Sequence, residues 1–319
     1  MIPHVSRLLE LWRIAAHYRL DTLFPAEELP EKARHVLSII RMHPAAWSSK
    51  ERKNPLKLKQ ALEDMGPLAI KLGQLLSTRR DLIPPEVLQQ LVLLQDRVKP
   101  FGSDVAKTRI QQSLKADIST LFSRFDEQPL AAASIAQVHT AALHDGREVV
   151  VKVTRPNIRA QILQDFEILE WLGHTLEKRL EAARALHLSE IIQDYRQIIL
   201  KELDLTLEAD NTRRMRHYFT GSSMMYVPEV YMDSKDVMVA ERITGVPISD
   251  IETFDRLGMD RADLARKGLT IFFTQVFRDN FSMQICIQEM FLSKRLIQVI
   301  HVLLHLIVQL WENCLNTIK

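Results

Sequence analysis

The sequence lacks most of the features that mark a secreted, metal-binding or membrane-spanning protein. Its two cysteines, Cys286 and Cys314, are too few for a disulfide framework or a cysteine-based metal site, which suits a reducing compartment. The longest apolar run, residues 296–310, is broken by Gln and His, and at roughly 15 residues it is shorter than the ~20 that a bilayer core requires. The N-terminus mixes Arg and His with apolar residues, which predicts an amphipathic helix and no signal peptide.

The chain also lacks a strong charge imbalance. Its 319 residues have a net charge of +2, so bulk electrostatics give no reason to expect a nucleic acid partner. No internal repeat and no low-complexity segment interrupts it. What is present is the composition of a soluble globular protein, 46% hydrophobic and 26% charged, in a chain long enough for two lobes with separate cores.

The first 126 residues have helical periodicity. Over residues 61–78 one apolar stripe predicts a single helix, with Lys71 and Gln74 on a polar stripe of the same helix. Gly73 inside that helix costs roughly 1 kcal/mol relative to Ala, so either a close contact requires it or the helix tolerates the loss. Spacing alone makes Lys71 and Gln74 part of a solvated face.

The pattern becomes β-like from Phe125 onward. Asp145 and Gly146 stand between two runs of β character and predict a hairpin. In its second strand, alternation places Lys152 in the middle of a run of valines, on the face opposite to Val149, Val151 and Val153. A loop of small residues precedes this hairpin, and it consists of Ala131, Ala132, Ala133 and Ser134.

Two long helical patterns follow, and Ser189 is predicted to cap the second. We expect this second helix to carry the segment KELDLTLEAD. On it, Asp204 and Glu208 would share a face, and Glu202 would lie about 200° from Asp204 around the axis. Two short strands then precede one more helix, predicted over residues 260–281.

This order of elements is that of a kinase-type nucleotide lobe, in which a strand lysine holds phosphates and a glutamate on the following helix orients it. A buried ammonium needs a partner, and Glu208 is the candidate for Lys152. The alternative is that Lys152 is an exposed strand residue and the carboxylates lie on a solvated helix face. No GxGxxG loop is present to separate the two interpretations.

Several motifs resemble the UbiB family of atypical kinase-like proteins, which is linked to ubiquinone biosynthesis. They are KLGQ (residues 71–74), LLSTRRDLIPPEVLQQLVLLQD, PLAAASIAQVHTA, VVVKVTRP, KELDLTLEADN and FFTQVFRDNF. They run in unbroken order from about residue 56 to 281. The resemblance implies an α+β fold with a protein-kinase-like N-lobe, an N-terminal helical extension that carries the KxGQ motif, and an incomplete helical C-lobe.

The resemblance also implies roles for individual residues. Ala131 to Ser134 would cover the nucleotide phosphates, and Lys152, paired with Glu208, would hold them. The backbone of Met238 to Glu241 would read the adenine edge. The KxGQ residues, Lys71, Gly73 and Gln74, would fold over the site. Lys71 would contact the ExD motif, which consists of Glu202 and Asp204.

The family continues after FFTQVFRDNF with HADMHPGN, whose Asp and Asn belong to the catalytic loop, and later with an aspartate motif that binds magnesium. Neither motif is present. Residues 282–291 can, however, be written in codons that spell His-Ala-Asp-Met-His-Pro-Gly-Asn-Val from the last base of the Ser282 codon. The same shift over residues 306–313 permits Asp-Cys-Ala-Ile-Val-Gly-Lys-Leu. We therefore expect a frameshift after Phe281, the alternative being a tail selected as the helix of a shortened relative.

These expectations divide the chain into a helical extension (1–125), a kinase-like N-lobe (126–243), the start of a helical C-lobe (244–281) and an out-of-frame tail (282–319). Intact family members would use ATP and Mg²⁺. This chain would keep weak ATP contact and lose the Mg²⁺ site, with no intact catalytic residue and no metal ligand. The alternative is a non-catalytic pseudokinase scaffold.

The resemblance further implies where the protein acts. It would be cytoplasmic and peripheral to the inner membrane, without the C-terminal membrane helices of the family. Its partners would be a membrane surface, quinone-precursor lipids or ubiquinone-biosynthesis proteins, and it would bind no nucleic acid.

Overall fold

The structure is a computed structural model that describes residues 4–23, 38–51, 54, 56–77, 85–95, 99–179, 184–185, 187–246 and 250–275. The chain divides into two compact units. The first combines residues 1–115, 126–139 and 152–204, and the second combines residues 116–125, 140–151 and 205–319. The expected out-of-frame tail, 282–319, lies outside the described residues.

The secondary structure is mixed. The helices, in chain order, are α1 (Val5–His17), α2 (Ala45–Ser48), α3 (Lys57–Met65), α4 (Pro67–Leu76), α5 (Pro85–Val92), α6 (Ser103–Leu114), α7 (Ile118–Leu121), α8 (Ile158–Arg179), α9 (Leu188–Glu202), α10 (Leu205–Tyr218), α11 (Ile251–Arg256) and α12 (Arg261–Phe273). The strands are β1 (Arg124–Phe125), β2 (Ala131–Ala132), β3 (Ala136–Ala142), β4 (Glu148–Thr154), β5 (Val230–Asp233) and β6 (Val237–Glu241).

Two hydrophobic cores lie among the described residues of the first unit. One lies among the N-terminal helices and is formed by Leu58, Val87, Leu91 and Leu94. The other joins α4, the start of β3, α8 and α9, and its buried members are Leu68, Ile135, Ala136, Ile158, Ile162, Phe166, Tyr195, Ile199 and Leu203. This second core holds the KxGQ-bearing helix α4 against α8 and α9, because each helix turns an apolar stripe toward it.

The second unit contains most of the sheet. Its strands lie in the order β1-β3-β4-β6-β5, and β5 pairs with β6 in antiparallel fashion, with Val230 opposite Ala240. Helix α10 packs on this sheet through a core of Leu205, Ala209, Val230, Met238 and Ala240. The α+β fold class predicted from the sequence, a kinase-like N-lobe with a helical region, is confirmed.

The hairpin predicted at Asp145 and Gly146 is present. Gly146 has φ +86°, and the Leu143 N–H donates to the Arg147 carbonyl over 2.9 Å. The alternation predicted along β4 is present too, because its valines at 149, 151 and 153 are fully buried while Val150 and Lys152 are half-buried. Both features depend on local rules, the glycine at positive φ and the two-residue period of a strand.

The single helix predicted over residues 61–78 is wrong, because the structure ends α3 at Met65 and begins α4 at Pro67. Gly66 lies between them with φ +105°, a conformation that side chains rarely adopt, and its N–H donates to the carbonyls of Leu62 and Glu63. Pro67 then occupies the first turn of α4, where its missing N–H costs nothing. Apolar spacing continues across the break, so periodicity alone does not detect it.

The prediction that one helix carries the whole segment KELDLTLEAD is also wrong. Helix α9 ends at Glu202 and α10 begins at Leu205, with Asp204 between them. The reason is that Leu203 is buried in the core of the first unit and Leu205 in the core of the second. The Leu205 N–H accordingly donates to the Lys235 carbonyl, not to a helical partner.

Ser189 is not the cap that the sequence predicted. Helix α9 begins at Leu188, after His187 in the left-handed conformation with φ 51°, so Ser189 lies in its first turn. Its hydroxyl donates to Glu177 of α8 over 2.6 Å. Ser189 therefore joins two neighbouring helices.

Candidate functional site

The small-residue loop is the tip of the hairpin formed by β2 and β3. Ala131 lies opposite Val138, Ala132 lies opposite Gln137, and the Ala133 N–H donates to the Ala136 carbonyl over 2.8 Å. Two residues, Ser134 and Ile135, form the turn, and both are buried. The small side chains of Ala133 and Ser134 allow a ligand to come close to the backbone there, as glycine-rich phosphate loops do.

Lys152 lies near the end of β4, in the same unit as this loop, and its side chain is half-buried. Glu208, its predicted partner, lies on α10 in the second unit and is also half-buried. The pairing of Lys152 with Glu208 therefore stays a prediction.

Lys71 and Glu202 are brought together within the first unit. Lys71 Nζ on α4 lies 2.6 Å from Glu202 Oε2 at the end of α9, and the exposed fractions of the two side chains are 22% and 10%. Asp204 is half-buried and follows this helix end. Spacing alone predicted that Lys71 lies on a solvated helix face. The structure instead places it in a partly buried ion pair with a helix far away in sequence.

Tyr195 lies seven residues before Glu202 on α9, and the sequence pattern placed it on the inward face of this helix without giving it a functional role. Its ring packs on Phe166 with centroids 5.7 Å apart, and its hydroxyl is buried without a hydrogen bond to any described residue. Burial, and then the charge of Glu202, raises the pKa of Tyr195. The phenol therefore stays neutral and adds apolar surface beside the Lys71–Glu202 pair.

The other KxGQ residues are used for packing. A Cβ at Gly73 would clash with the end of the Leu94 side chain and lie 2.8 Å from Leu62 Cδ1, so a methyl group here would force core leucine side chains to shift. Gln74 Nε2 donates to the Leu94 carbonyl over 3.1 Å, at the end of the adjoining 3₁₀ turn. Gly73 and Gln74 thus hold α4 in place while Lys71 reaches Glu202.

Met238 and Glu241, predicted to lie at the adenine edge, belong to β6 of the second unit. The Met238 side chain is buried in the core, and the Glu241 N–H donates to the Glu229 carbonyl over 2.8 Å. The Glu241 carboxylate accepts from the Tyr226 hydroxyl at 2.6 Å. Because sheet pairing occupies the Glu241 N–H, that group is not available to a nucleotide.

Arg155 contacts the small-residue loop and was missed from the sequence. Its Nε donates to the Ala133 carbonyl over 3.0 Å, and its own backbone N–H donates to the Ile135 carbonyl over 2.8 Å. The signal was available, because Arg155 stands three residues after Lys152 in the quoted motif VVVKVTRP. Arg155 directly follows strand β4, and from this position its long side chain reaches a backbone carbonyl of the hairpin turn.

The described residues contain no group of three or more His, Cys, Asp or Glu side chains placed to hold a metal ion. They also contain no helix long and apolar enough to cross a bilayer.

Comparison with known proteins identifies the class. Residues 93–285 match the ABC1 atypical kinase-like domain. The chain therefore belongs to the ABC1 family of atypical kinase-like proteins. Within it the relatives are UbiB proteins, so the resemblance to the UbiB family is confirmed.

The relatives carry the name "Probable protein kinase UbiB". The protein from Pseudomonas entomophila is 45% identical over 282 residues, which cover 87% of this chain and 52% of the relative. The protein from Aliivibrio fischeri is 43% identical over 285 residues, covering 87% and 51%. This chain thus spans about half the length of the curated relatives it matches.

Among the solved structures that match part of the chain is that of the Rv3197–erythromycin complex from Mycobacterium tuberculosis, with 27% identity over 61% of this chain and 49% of the other. The TM-score is 0.38.

Proposed function

We propose that this chain is the nucleotide-holding part of a UbiB-type atypical kinase or ATPase-like protein whose intact form supports ubiquinone biosynthesis. The observation that carries the proposal is the ion pair between Lys71 and Glu202, at the positions that the resemblance assigns to KxGQ and ExD. Removing a lysine and a carboxylate from bulk water costs desolvation free energy that their attraction often fails to repay, so stability alone is a weak reason for such a pair.

In this proposal ATP is the nucleotide. The turn after Ala131 and Ala132 lies over the phosphates, and Lys152 neutralises part of their charge with Glu208 as its orienting partner. The adenine edge is read by backbone groups of the Met238 to Glu241 region other than the Glu241 N–H. Three alanine side chains next to the turn support close approach of a polyphosphate, because none extends beyond Cβ.

We further propose that the 319-residue chain by itself does not transfer phosphoryl groups. Phosphoryl transfer depends on positioning and on neutralising charge with Mg²⁺ and its ligands. The residues after Phe281 contain neither HADMHPGN nor the aspartate motif in the translated frame. Weak ATP contact without turnover is the expected result.

The test compares this chain with a version restored by one inserted base at the Phe281 codon. ATP binding is measured by calorimetry, and ATP hydrolysis is measured with Mg²⁺ and membranes present. We expect both chains to bind ATP, Lys152→Met to weaken binding at least tenfold, and only the restored chain to hydrolyse ATP. ATP turnover by the unrestored chain, or binding unaffected by Lys152→Met, would contradict the proposal.

A second candidate function is a non-catalytic scaffold that binds a membrane surface. The observation in its favour is that large apolar side chains within one short segment of the sequence are exposed, with exposed fractions of 50% for Ile39, 68% for Met42 and 76% for Trp47. Large apolar side chains that cluster on a surface mark binding sites, and Trp favours membrane interfaces.

Sedimentation with vesicles of phosphatidylethanolamine and phosphatidylglycerol tests this candidate. Trp47→Ala should lower the bound fraction several-fold, while Tyr226→Ala, which removes another exposed aromatic side chain (61% exposed), should leave it unchanged. Vesicles that carry a quinone-precursor lipid show whether the surface selects lipids. Equal sedimentation of both variants and the unmodified chain would exclude this surface.

A further inference from the structure

Arg155 joins two separate segments of the first unit. Its Nε donates to the Ala133 carbonyl at 3.0 Å, and its Nη2 donates to the Lys99 carbonyl at 2.8 Å. The guanidinium also lies over the Phe101 ring, 5.7 Å from the centroid. One side chain therefore connects the hairpin turn to the segment that links the N-terminal helices to α6.

The polar partners of the Arg155 guanidinium are backbone carbonyls. Arg155 forms no ion pair with a residue in the described parts of the chain, and burial lowers the pKa of its guanidinium. Arg nevertheless stays charged, and its planar fork can bind two carbonyl oxygens at fixed angles, which the point charge of a lysine cannot do. A half-buried cation whose polar partners are carbonyls fixes backbone geometry.

That geometry determines where the turn presents its donors. In a trans peptide the carbonyl and the following N–H point in opposite directions. Because Arg155 holds the Ala133 carbonyl, the Ser134 N–H points away from the guanidinium. The Arg155 backbone N–H holds the Ile135 carbonyl as well, so the orientation of two peptide planes in this turn depends on one residue.

The segment at the other end is itself fixed. Gln137 of β3 accepts from the Phe101 N–H at 3.1 Å through Oε1 and lies 3.4 Å from the Phe101 carbonyl through Nε2. Gln137 is fully buried. Arg155 thus ties the turn to a segment that a buried side chain of β3 also holds.

We propose that Arg155 is a positioning residue of the nucleotide site, which holds the Ala133 carbonyl and thereby aims the Ser134 N–H toward the phosphates of a bound nucleotide. This inference rests on the proposed function. It predicts that Arg155 affects binding of the phosphates and not of the nucleoside.

The experiment measures ATP and adenosine affinity of the full chain by calorimetry in Arg155→Met and Arg155→Lys. Losing a charge-assisted hydrogen bond corresponds to roughly tenfold or more in affinity. We expect ATP binding to weaken roughly tenfold in Arg155→Met and adenosine binding to change less than twofold. Arg155→Lys should restore only part of the ATP affinity, since one ammonium cannot reproduce the fork.

Arg109→Met is the matched control. Arg109 is another half-buried arginine of the first unit, and from α6 it donates to Thr154 Oγ1 at 3.1 Å. The Arg109→Met substitution should leave the ratio of ATP affinity to adenosine affinity unchanged. Equal loss of ATP and adenosine binding in Arg155→Met, or the same loss in Arg109→Met, would mean general destabilisation and would overturn the proposal.

Amide hydrogen exchange separates this inference from the proposed function. Arg155→Met should accelerate exchange of the Ala133 and Phe101 amides at least tenfold relative to Arg109→Met, whether or not nucleotide is present. If the unmodified chain binds neither ATP nor adenosine, the proposed function fails and the nucleotide role of Arg155 fails with it. Unchanged exchange at both amides would show that Arg155 does not hold the turn against the segment at Lys99 and Phe101.

Discussion

Helix α8 of the first unit places Ile158, Ile162 and Phe166 in a core, whereas none of the described side chains of α12 in the second unit is buried. Helix α12 relies on local interactions: Asp260 accepts from the Ala262 N–H at 2.8 Å, and Lys267 lies 2.8 Å from Asp263. Such interactions stabilise a helix by tenths of a kcal/mol up to about 1 kcal/mol each. Tertiary burial therefore holds α8, and capping and surface charge hold α12.

The largest expected effect tests burial directly. Phe166→Ala removes a fully buried ring and should lower the free energy of unfolding by about 3–5 kcal/mol. Phe273→Ala on α12, where the side chain is 41% exposed, should cost less than about 1 kcal/mol. Urea unfolding followed by circular dichroism measures both, and equal costs would remove the distinction between the two helices.

Breaking a partly buried ion pair should likewise lower the free energy of unfolding more than breaking an exposed one. Lys71→Met leaves Glu202 with 10% of its side chain exposed and should cost about 2 kcal/mol, below the range for fully buried pairs because Lys71 keeps some solvent contact. Lys267→Met breaks the exposed pair with Asp263 and should cost about 0.3–0.5 kcal/mol. The same urea measurement applies. A larger cost for Lys267→Met would show that α12 depends on charge more than α4 and α9 do.

Two helix-interior glycines give a test with opposite signs. Gly73→Ala introduces a methyl group that clashes with Leu94 and should destabilise the chain by about 1–3 kcal/mol. A Cβ at Gly268 of α12 meets no described atom within 4 Å, so Gly268→Ala should stabilise by up to about 1 kcal/mol through helix propensity. Thermal melting of the two variants provides the check, and destabilisation by Gly268→Ala would indicate packing on α12.

The smallest expected effect concerns pH. His139 Nδ1 donates to the Asp126 carbonyl at 2.9 Å, so its Nε2 accepts from Gln137 at 2.8 Å and the ring is neutral. Burial lowers the pKa of His139 below its ordinary value of 6.5. The folded chain thus resists protonation, so stability is complete above about pH 6.5 and falls as pH drops toward the folded pKa, by at most about 1.4 kcal/mol per pH unit.

Urea unfolding at pH 7.5, 6.5 and 5.5 measures this loss. His139→Asn should abolish the loss between pH 6.5 and 5.5, and His144→Gln, at an exposed position, should retain it. Helix α12 contributes nothing in that window, because Lys267 holds the pKa of Asp263 below its ordinary value of 3.8. A loss that persists in His139→Asn would assign the titration to another group.

The sequence predicted those parts of the fold that depend on neighbouring residues. The hairpin at Gly146 and the alternation around Lys152 both follow from neighbouring residues. The break between Leu203 and Leu205 could not be predicted in this way, because it arises when two nearby leucines enter different cores. The break at Gly66 was visible in the Gly66-Pro67 pair, but the continuing apolar stripe concealed it.

The candidate site shows the same limit. Spacing indicated a strand lysine and a small-residue turn, but the contact between Lys71 and Glu202 joins distant parts of the chain and was expected only from the family resemblance. Arg155 was missed because its partners are backbone carbonyls, and no pattern of side chains records them. The Lys152–Glu208 pairing remains a prediction.

The hydrogen bonding of Gln137 to the Phe101 peptide has a consequence for engineering the chain. The buried Gln137 amide imitates a neighbouring strand, so an affinity tag or a new pair of termini placed at Phe101 would break these two hydrogen bonds. The exposed turn at Lys115, where φ is already 57°, is the better position for such an insertion. Circular permutants opened at these two positions should therefore differ sharply in soluble yield.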